Sequence, residues 1–298
     1  MKALPRAGVE LGGTKCVCTL AYGPGEILDQ QTVPTTTPDE TLPAILAILQ
    51  QWHSTKGFAA LGIASFGPID LDATSPGFGQ VMATTKAAWP GTDVLGILSA
   101  PFNVPTAFDT DVNAAALAEI AWGCAQGIDD FAYVTVGTGV GVGLTVHGRP
   151  TGGIGHSEWG HIRVPRLAGD DHPSFCSFHS DCVEGLASGS ALMLRLGGRT
   201  VESLSPEDAV WEPIVHTLAM MCHALVCGAG PRRIAIGGGV FSGQQHLIPR
   251  VEAALRASLD GYMRLPEGAY IVSPALGASA GPLGSIALAD TALPIEHI

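Results

Sequence analysis

Three soft metal ligands stand at even intervals in the stretch SFCSFHSDCVEG, residues 174–185. Cys176, His179 and Cys182 are spaced three residues apart, and Glu184 follows closely. Thiolate sulfur and imidazole nitrogen are ligands of structural zinc, which takes four of them in a tetrahedron. The stretch supplies three, so a fourth ligand has to come from elsewhere in the chain. The alternative is a group of reduced surface thiols that bind no metal.

Glycine-rich segments that could hold phosphate occur at GVELGGTK (8–15), GTGVGVG (137–143) and IGGGV (236–240). The first has the order Gly-Thr-Lys where a P-loop needs Gly-Lys-Ser/Thr, and the second does not match G-x-G-x-x-G. Strand-forming residues follow both, which favours β-hairpins. Glycine lets backbone N–H groups approach an anion closely, and a threonine hydroxyl adds a donor. The alternative is that these hairpins have only a structural role.

One carboxylate, Asp111, precedes the alanine-rich segment VNAAALAEIAWG (112–123). A carboxylate at such a turn could accept a proton from a substrate hydroxyl during phosphoryl transfer. Aspartate is also a favoured helix N-cap. Position alone leaves both roles open, and Asp109 fits a turn or a cap.

The surrounding elements alternate between strand and helix patterns. Apolar alternation predicts strands within 8–33, 58–67, 131–148 and 232–241. Helical spacing predicts helices over 40–54, 111–123, 206–228 and 246–259, with a kink or break at Pro213. The strand–glycine–threonine–strand pattern occurs twice. It predicts an internally duplicated α/β fold with two lobes.

Composition restricts the class of protein. The 298 residues carry a net charge of −12 without a basic run, which argues against a nucleic-acid partner. Neither a signal-peptide pattern nor a bilayer-length apolar stretch is seen, so no membrane association is expected. Seven cysteines do not suggest a disulfide framework. A cytoplasmic protein is the expectation.

The chain resembles sugar kinases of the ROK family, and most closely the bacterial zinc-containing fructokinase branch. The matching segments are GVELGGTK, AFDTDVNAAALAE (107–119), VTVGTGVGVG (134–143), GHSEWGH (155–161), CSFHSDCVEGLASG (176–189) and IGGGV. The resemblance implies an actin-like ATPase (ribonuclease H-like) fold, with two lobes around a central cleft. It implies an N-terminal lobe over 1–117, completed by a C-terminal helix over 284–298, and a larger lobe over 118–283.

The resemblance also implies roles for individual residues. Asp111 is the expected general base. Sugar contacts are expected from Glu158, His161, Glu184, Thr110 and Gly67. Nucleotide contacts are expected from Gly12, Gly13, Thr14, Lys15, Thr138, Gly139, Gly238 and Gly239, with a surface ion pair as the alternative for Lys15. His161 is the implied fourth zinc ligand, with His156 as a competitor. Glu10 stands where many relatives have Asp, and the resemblance implies a role for it near Mg²⁺.

The implied reaction is the ATP- and Mg²⁺-dependent phosphorylation of a hexose, first of all fructose at its 6-hydroxyl. Mannose or a broader range of hexoses is the close alternative. Thr110, where glucokinase relatives have Asn, argues against a dedicated glucokinase. A sugar-sensing regulator is disfavoured because the first strand pattern begins near residue 8, which leaves no room for an N-terminal helix-turn-helix. A sugar-binding protein without catalysis is a third possibility. A homodimer is expected only from the resemblance.

Overall fold

The computed structural model describes residues 4–84, 86–152 and 155–294. These residues fall into two compact units. Unit 1 contains the described residues of 1–126, 150–156 and 278–298, and unit 2 contains those of 127–149 and 157–277. The chain therefore returns to unit 1 twice after leaving it.

Strands and helices alternate along the described chain. The strands are β1 (Arg6–Leu11), β2 (Lys15–Gly23), β3 (Glu26–Pro34), β4 (Leu61–Ser65), β5 (Thr106–Thr110), β6 (Phe131–Val136), β7 (Val140–Val146), β8 (Arg149–Pro150), β9 (Arg233–Gly237) and β10 (Ile271–Val272). The helices are α1 (Pro38–Thr55), α2 (Val94–Ser99), α3 (Asp111–Trp122), α4 (Val183–Ala187), α5 (Gly189–Leu196), α6 (Trp211–Gly228), α7 (Gly239–Ser242), α8 (Leu247–Leu259) and α9 (Ala280–Thr291).

The sheet of unit 1 has the strand order β3-β2-β1-β4-β5. The β1–β2 pair is antiparallel, and β4 and β5 continue parallel to β1. Parallel strands end at the same edge of a sheet, so the last residues of β1, β4 and β5 are neighbours there. This edge carries the acidic residues Glu10 and Asp109.

The sheet of unit 2 repeats this arrangement with the order β8-β7-β6-β9-β10. The β6–β7 pair is antiparallel, and β9 and β10 continue parallel to β6. Strands β6 to β10 thus follow the pattern of β1 to β5. The duplicated strand–glycine–strand pattern in the sequence has its origin in this repeated topology.

Helix α9 packs closely on the sheet of unit 1. A side chain at Gly8 or at Gly62 would collide with Ser285 of this helix, so both strand positions need glycine. The helix predicted over 284–298 therefore belongs to unit 1, but it begins earlier in the chain. Residues 295–298 lie outside the described residues.

The chain leaves unit 1 after Gln126, where the sequence analysis places a boundary after residue 117. Residue 117 lies in the middle of α3. Helix α3 packs closely on α9, because Gly284 of α9 has no side chain: an added Cβ at Gly284 would lie 2.8 Å from the carbonyl oxygen of Ala114. The whole of α3 therefore belongs to unit 1. The contacts of one helix thus fix the position of the boundary.

Helix α6 is shorter than the predicted helix over 206–228. Before it, the side chain of Asp208 accepts a hydrogen bond from the N–H of Val210 at 3.0 Å and holds a turn. The helix begins at Trp211, so Pro213 lies in its first turn. Proline does not disturb a first turn, because the N–H groups there have no partner within the helix. The predicted kink or break at Pro213 is wrong for this reason.

Each unit has its own hydrophobic core. Trp52 and Phe58 are buried in unit 1, and Trp211 and Tyr270 are buried in unit 2. Of the helices in the described ranges, none combines the length and the apolar character that crossing a membrane requires.

Candidate functional site

A β-hairpin joins β1 to β2 through residues predicted to contact phosphate. The exposed positions of this hairpin are Gly13, Thr14 and Lys15. Gly12 closes the turn: its N–H donates to the carbonyl of Lys15 at 3.1 Å, and its carbonyl accepts from the hydroxyl of Thr35 at 2.7 Å. Lys86 donates to the carbonyl of Gly13. Both glycine carbonyls are thus bonded within the protein, while the tip of the hairpin is open to an anion.

The corresponding hairpin of unit 2 joins β6 to β7. Gly137 donates to the carbonyl of Gly139 at 2.9 Å and closes this turn. The start of α5 holds it from outside: Gly189 N–H donates to the carbonyl of Gly137 at 2.7 Å, and the Ser190 hydroxyl donates to that of Thr138 at 2.9 Å. Thr138 itself is exposed. This hairpin is therefore anchored by a helix.

The two central glycines of IGGGV differ in what surrounds them. Gly238 has a φ of +91°, and an added Cβ would lie 2.6 Å from the backbone N and O of Val136. Only glycine fits there. Gly239 begins α7, and an added Cβ would meet no atom within 4 Å. Gly238 has a structural reason to be glycine, whereas Gly239 leaves open space in which a ligand could approach the backbone.

Two carboxylates lie in one row of the sheet of unit 1. Glu10 on β1 is opposite Ala64 on β4, and Ala64 is opposite Asp109 on β5. Residues in one row point to the same face of a sheet. The residue between them, Ala64, is buried, and an added Cβ at Gly281 of α9 would collide with the carboxylate of Glu10, so this glycine makes room for that side chain. Asp111 follows at the first position of α3.

The pKa values show that these acidic groups affect one another. The pKa of Glu10 is raised from 4.5 to about 7, mainly by burial and also by the negative charge of Asp111, while Lys15 opposes the shift. Burial also raises the pKa of Asp109. A cation near Glu10 and Asp111 would relieve their repulsion. Carboxylate oxygens are ligands that Mg²⁺ accepts, so the residues fit the metal role considered for Glu10.

Asp109 and Asp111 have different local partners. One oxygen of Asp109 accepts from the N–H of Thr110 at 2.7 Å and from the side-chain amide of Asn113 at 2.8 Å. Asp111 accepts from the N–H of Val112 at 2.8 Å. Asp109 therefore fixes the start of α3. The sequence analysis expects a turn or a cap at Asp109, but this residue lies in β5 and supports the N-cap of α3 from there.

Thr110 is the N-cap of α3. Its hydroxyl oxygen accepts from the N–H of Asn113 at 3.2 Å, and the residue is buried. Gly67, the other unit 1 residue expected near a sugar, follows β4 and forms a cis peptide bond with Pro68. A sugar contact for either residue stays a prediction.

Four metal-ligating side chains converge in unit 2. The ligand atoms of His161, Cys176, His179 and Cys182 all lie within 4.8 Å of one another. We call these residues the metal cluster. His161 ends a 3-10 turn, Trp159–His161, and a β-bridge between Arg163 and Cys182 brings this turn to the cysteines.

The spacing of the cluster fits a tetrahedral zinc ion. Nδ1 of His161 is 3.8 Å from the sulfur of Cys176 and 3.9 Å from that of Cys182, and Nδ1 of His179 is 3.7 Å from the Cys176 sulfur. Tetrahedral bonds of ordinary zinc–sulfur and zinc–nitrogen length separate these atoms by about 3.6 Å. Two sulfurs and two nitrogens are a usual donor set for structural zinc.

His156, the competing ligand, lies elsewhere. Its Nε2 accepts a hydrogen bond from the N–H of Ile69 at 3.0 Å in unit 1. Its positive form would also lower the pKa of Asp109, so the two side chains are close. The structure thus brings His161, and not His156, to the cysteines.

Glu184 connects the metal cluster with the hairpin of unit 2. One carboxylate oxygen lies 3.7 Å from Nε2 of His161. The other accepts from the N–H of Val140 at 3.0 Å. A side chain at Gly139 would collide with this second oxygen. Glu158, a third predicted sugar contact, is exposed and precedes the 3-10 turn that carries His161.

A family model for the ROK family matches residues 6–292. The chain belongs to the ROK family. A putative fructokinase of Bacillus subtilis (strain 168) is 39% identical over 97% of this chain and 96% of its own length. A fructokinase of Pediococcus pentosaceus is 38% identical over 96% and 97%. The resemblance seen in the sequence is thereby confirmed.

A solved structure shows the fold of this ROK chain. The crystal structure of a ROK hexokinase from Thermus thermophilus matches it with a TM-score of 0.78 and 26% identity, over 97% of this chain and 98% of the other. ROK sugar kinases have the actin-like ATPase fold. The predicted fold is confirmed, and the two sheets of shared strand order are its repeated halves.

Sequence reasoning missed several residues that hold the hairpins of this ROK protein. Lys86, Gly189 and Ser190 each donate to a hairpin carbonyl, and none of them stands in a glycine-rich segment. For Gly189 and Ser190 the sequence does contain a signal. Ser188 is the N-cap of α5, and its hydroxyl oxygen accepts from the N–H of Ala191 at 3.1 Å. A helix start within ASGSAL could have suggested outward-facing N–H donors.

Proposed function

We propose that this ROK protein transfers the γ-phosphoryl group of ATP to a hexose. D-fructose is the proposed acceptor, through its 6-hydroxyl, and fructose 6-phosphate is the product. Similarity to curated fructokinases over nearly the whole chain supports this reaction. Mannose or a broader range of hexoses remains the alternative, because pocket shape decides between such close substrates.

The observation that carries the proposal is the position of Asp111. It begins α3 at the sheet edge that also carries Glu10, and the N–H of Val112 fixes one of its oxygens. Phosphoryl transfer needs a positioned carboxylate that accepts the proton of the attacking hydroxyl. In this proposal the 6-hydroxyl gives its proton to Asp111 as its oxygen attacks the γ-phosphorus. The bond from the γ-phosphorus to the bridging oxygen breaks, and ADP leaves.

The other proposed contacts divide by chemistry. Carboxylates and imidazole accept from or donate to sugar hydroxyls. The proposed sugar contacts are Glu158, His161, Glu184, Thr110 and Gly67. The glycine backbones and the side chains beside them suit the nucleotide. The proposed nucleotide contacts are Gly12, Gly13, Thr14, Lys15, Thr138, Gly139, Gly238 and Gly239.

Two metals have separate roles in the proposal. Mg²⁺ accompanies ATP and neutralises phosphate charge during transfer, and Glu10 is the residue of this chain that would lie near it. Zinc would be held by His161, Cys176, His179 and Cys182. With four protein ligands it has no open position, so it orders structure and does not activate water.

ADP release tests the proposal, measured from Mg-ATP with fructose, mannose and glucose in parallel. Fructose turning over fastest is the expected result. Comparable rates on several hexoses would keep the kinase and replace fructose by a broad specificity. A zinc-loaded, folded protein that turns over none of them would overturn the proposal and favour a sugar sensor.

Assembly and location complete the proposal. We propose a homodimer, which sedimentation velocity tests, and a cytoplasmic location, which fractionation of the source cells tests. The homodimer rests on the resemblance to other ROK kinases, and the cytoplasmic location rests on the sequence analysis.

A further inference from the structure

We propose that Glu184 transmits the order of the metal cluster to the hairpin Gly137–Val140, so that zinc occupancy and nucleotide affinity are coupled. This inference rests on the proposed function, since it takes the hairpin as a phosphate-binding element. It gives the metal an effect on nucleotide binding in addition to the structural role proposed above. Glu184 acts here as a positioning residue.

The first step is the orientation of His161. Its Nδ1 faces the sulfurs of Cys176 and Cys182, and its Nε2 faces Glu184 at 3.7 Å. When Nδ1 binds a metal, the proton of a neutral imidazole has to be on Nε2. That N–H then points towards the carboxylate, and metal-bound histidines usually donate to such an acceptor. Zinc therefore strengthens a contact that the geometry already prepares.

The second step is the start of α4. Cys182 is the N-cap of this helix, and its sulfur accepts from the N–H of Gly185. Glu184 is the second residue of α4. A zinc ion held by Cys182 thus fixes the helix turn from which the carboxylate projects. The same ion restrains Glu184 through the backbone of Cys182 and through the ring of His161.

The third step is the hydrogen bond between Glu184 and the hairpin. Its second oxygen accepts from the N–H of Val140, at the end of the turn. Gly189 and Ser190, a few residues further along the chain, hold the carbonyls of Gly137 and Thr138. Every residue from 137 to 140 is in this way bonded across the turn or held by the segment that follows Cys182. Apart from the bond that closes the turn and the pairing of β6 with β7, the hairpin depends on that segment for its shape.

Thermodynamic reciprocity makes the coupling measurable without turnover. If zinc tightens ADP binding, ADP has to tighten zinc binding by the same factor. The zinc dissociation constant is measured by equilibrium competition with a colorimetric chelator, with and without saturating ADP, in the absence of sugar. ADP is expected to lower this constant about tenfold in the unaltered protein.

Glu184→Gln tests the residue itself. Its amide can offer only one acceptor oxygen, so it cannot accept from His161 and from Val140 with separate oxygens. The variant is expected to bind zinc with a dissociation constant that ADP hardly changes. Glu207→Gln, an exposed change in the same unit, is the matched control and keeps the ADP effect. Circular dichroism and zinc content confirm that each protein is folded and loaded.

Gly139→Ala gives a second, independent variant, since its methyl group would displace the carboxylate without touching a ligand residue. It should lose the ADP effect as well. The inference is overturned if ADP binds but leaves the zinc dissociation constant unchanged in the unaltered protein, or lowers it equally in Glu184→Gln. A protein that binds no ADP at all contradicts the proposed function instead. The two failures are thus distinguishable.

Discussion

The hairpins Gly12–Lys15 and Gly137–Val140 occupy the same position in two sheets of the same topology, yet they are held differently. The first is held by Thr35 of the segment after β3 and by the long side chain of Lys86. The second is held by Glu184 of α4 and by Ser190 of α5. Cys182 of the metal cluster is the N-cap of α4. Repeated topology therefore does not imply repeated support.

The strands that lead into the hairpins differ in charge. The penultimate residue of β1 is Glu10, whose pKa is raised to about 7. The penultimate residue of β6 is Thr135, which is uncharged. Unit 1 therefore has the carboxylates of Glu10 and Asp111 beside its hairpin. Unit 2 has an uncharged residue at the matching strand position, and its ionisable side chains His161 and Glu184 lie at the metal cluster.

Asp111→Asn tests this division most strongly. Removal of a general base is expected to lower kcat by about 10²- to 10⁴-fold. The asparagine oxygen can still accept from Val112, and repulsion with Glu10 is removed, so stability should not fall. Steady-state kinetics and thermal unfolding measure the two effects. In the matched variant Glu184→Gln, KM for ATP should rise by a larger factor than kcat falls. If kcat falls as much as in Asp111→Asn, the proposed difference between the two units is wrong.

Glu10→Gln should change the pH dependence of stability. Folding raises the pKa of Glu10, so the unfolded chain binds fewer protons between pH 4.5 and about 7, and Glu10 makes the protein less stable as pH rises through this range. The variant lacks this penalty. The free energy of unfolding of the variant, relative to that of the unaltered protein, should increase by about 2–3 kcal/mol from pH 5 to pH 8.

Urea unfolding without Mg²⁺ or nucleotide measures this difference. Thr135→Val, at the matching position of unit 2, is the control whose effect should not vary with pH. If the change in free energy of unfolding caused by Glu10→Gln is equally independent of pH, folding does not raise the pKa of Glu10. In Asp111→Asn, the midpoint of the pH effect should move down, since one cause of the raised pKa of Glu10 is removed.

The sequence predicts parts of this comparison and not others. Glycine, threonine and strand-forming residues predict both hairpins, because turns depend on neighbouring residues. The three-residue spacing of Cys176, His179 and Cys182 predicts a metal site but leaves its fourth ligand open. His161 reaches it only through a β-bridge, and the partners of Glu184 lie more than 20 residues away in the chain. Such contacts depend on packing, which a local pattern does not record.

Replacing Gly12 and Gly139 by alanine compares the space around the two glycines. At Gly12 an added Cβ would lie 2.7 Å from the backbone oxygen of Lys15, which the hairpin holds in place. Gly12→Ala should lower the free energy of unfolding by about 1–3 kcal/mol. At Gly139 the added atom meets the end of the Glu184 side chain, which can rotate away. Gly139→Ala should therefore cost less stability and more ADP affinity.

Gly137→Ala is the control for both variants, because an added Cβ there meets no atom within 4 Å. Urea unfolding and ADP titration of the three proteins separate stability from binding. If Gly139→Ala proves less stable than Gly12→Ala, the second hairpin is the more rigid support, and Glu184 is fixed more firmly than a surface carboxylate.

The smallest expected effects come from Lys86→Met and Ser190→Ala, each of which removes one side-chain donor from a hairpin carbonyl. Both hydrogen bonds are solvent-exposed, so each should contribute less than about 1 kcal/mol to stability. Lys86 also brings a positive charge to the first hairpin. The loss of ADP affinity in Lys86→Met should therefore shrink as salt rises, since salt screens exposed charges. In Ser190→Ala the neighbouring Gly189 bond remains and no charge is lost, so its smaller effect should be independent of salt. Titrating ADP at low and high salt distinguishes them, and an equal salt dependence would mean that the two hairpins bind phosphate in the same way.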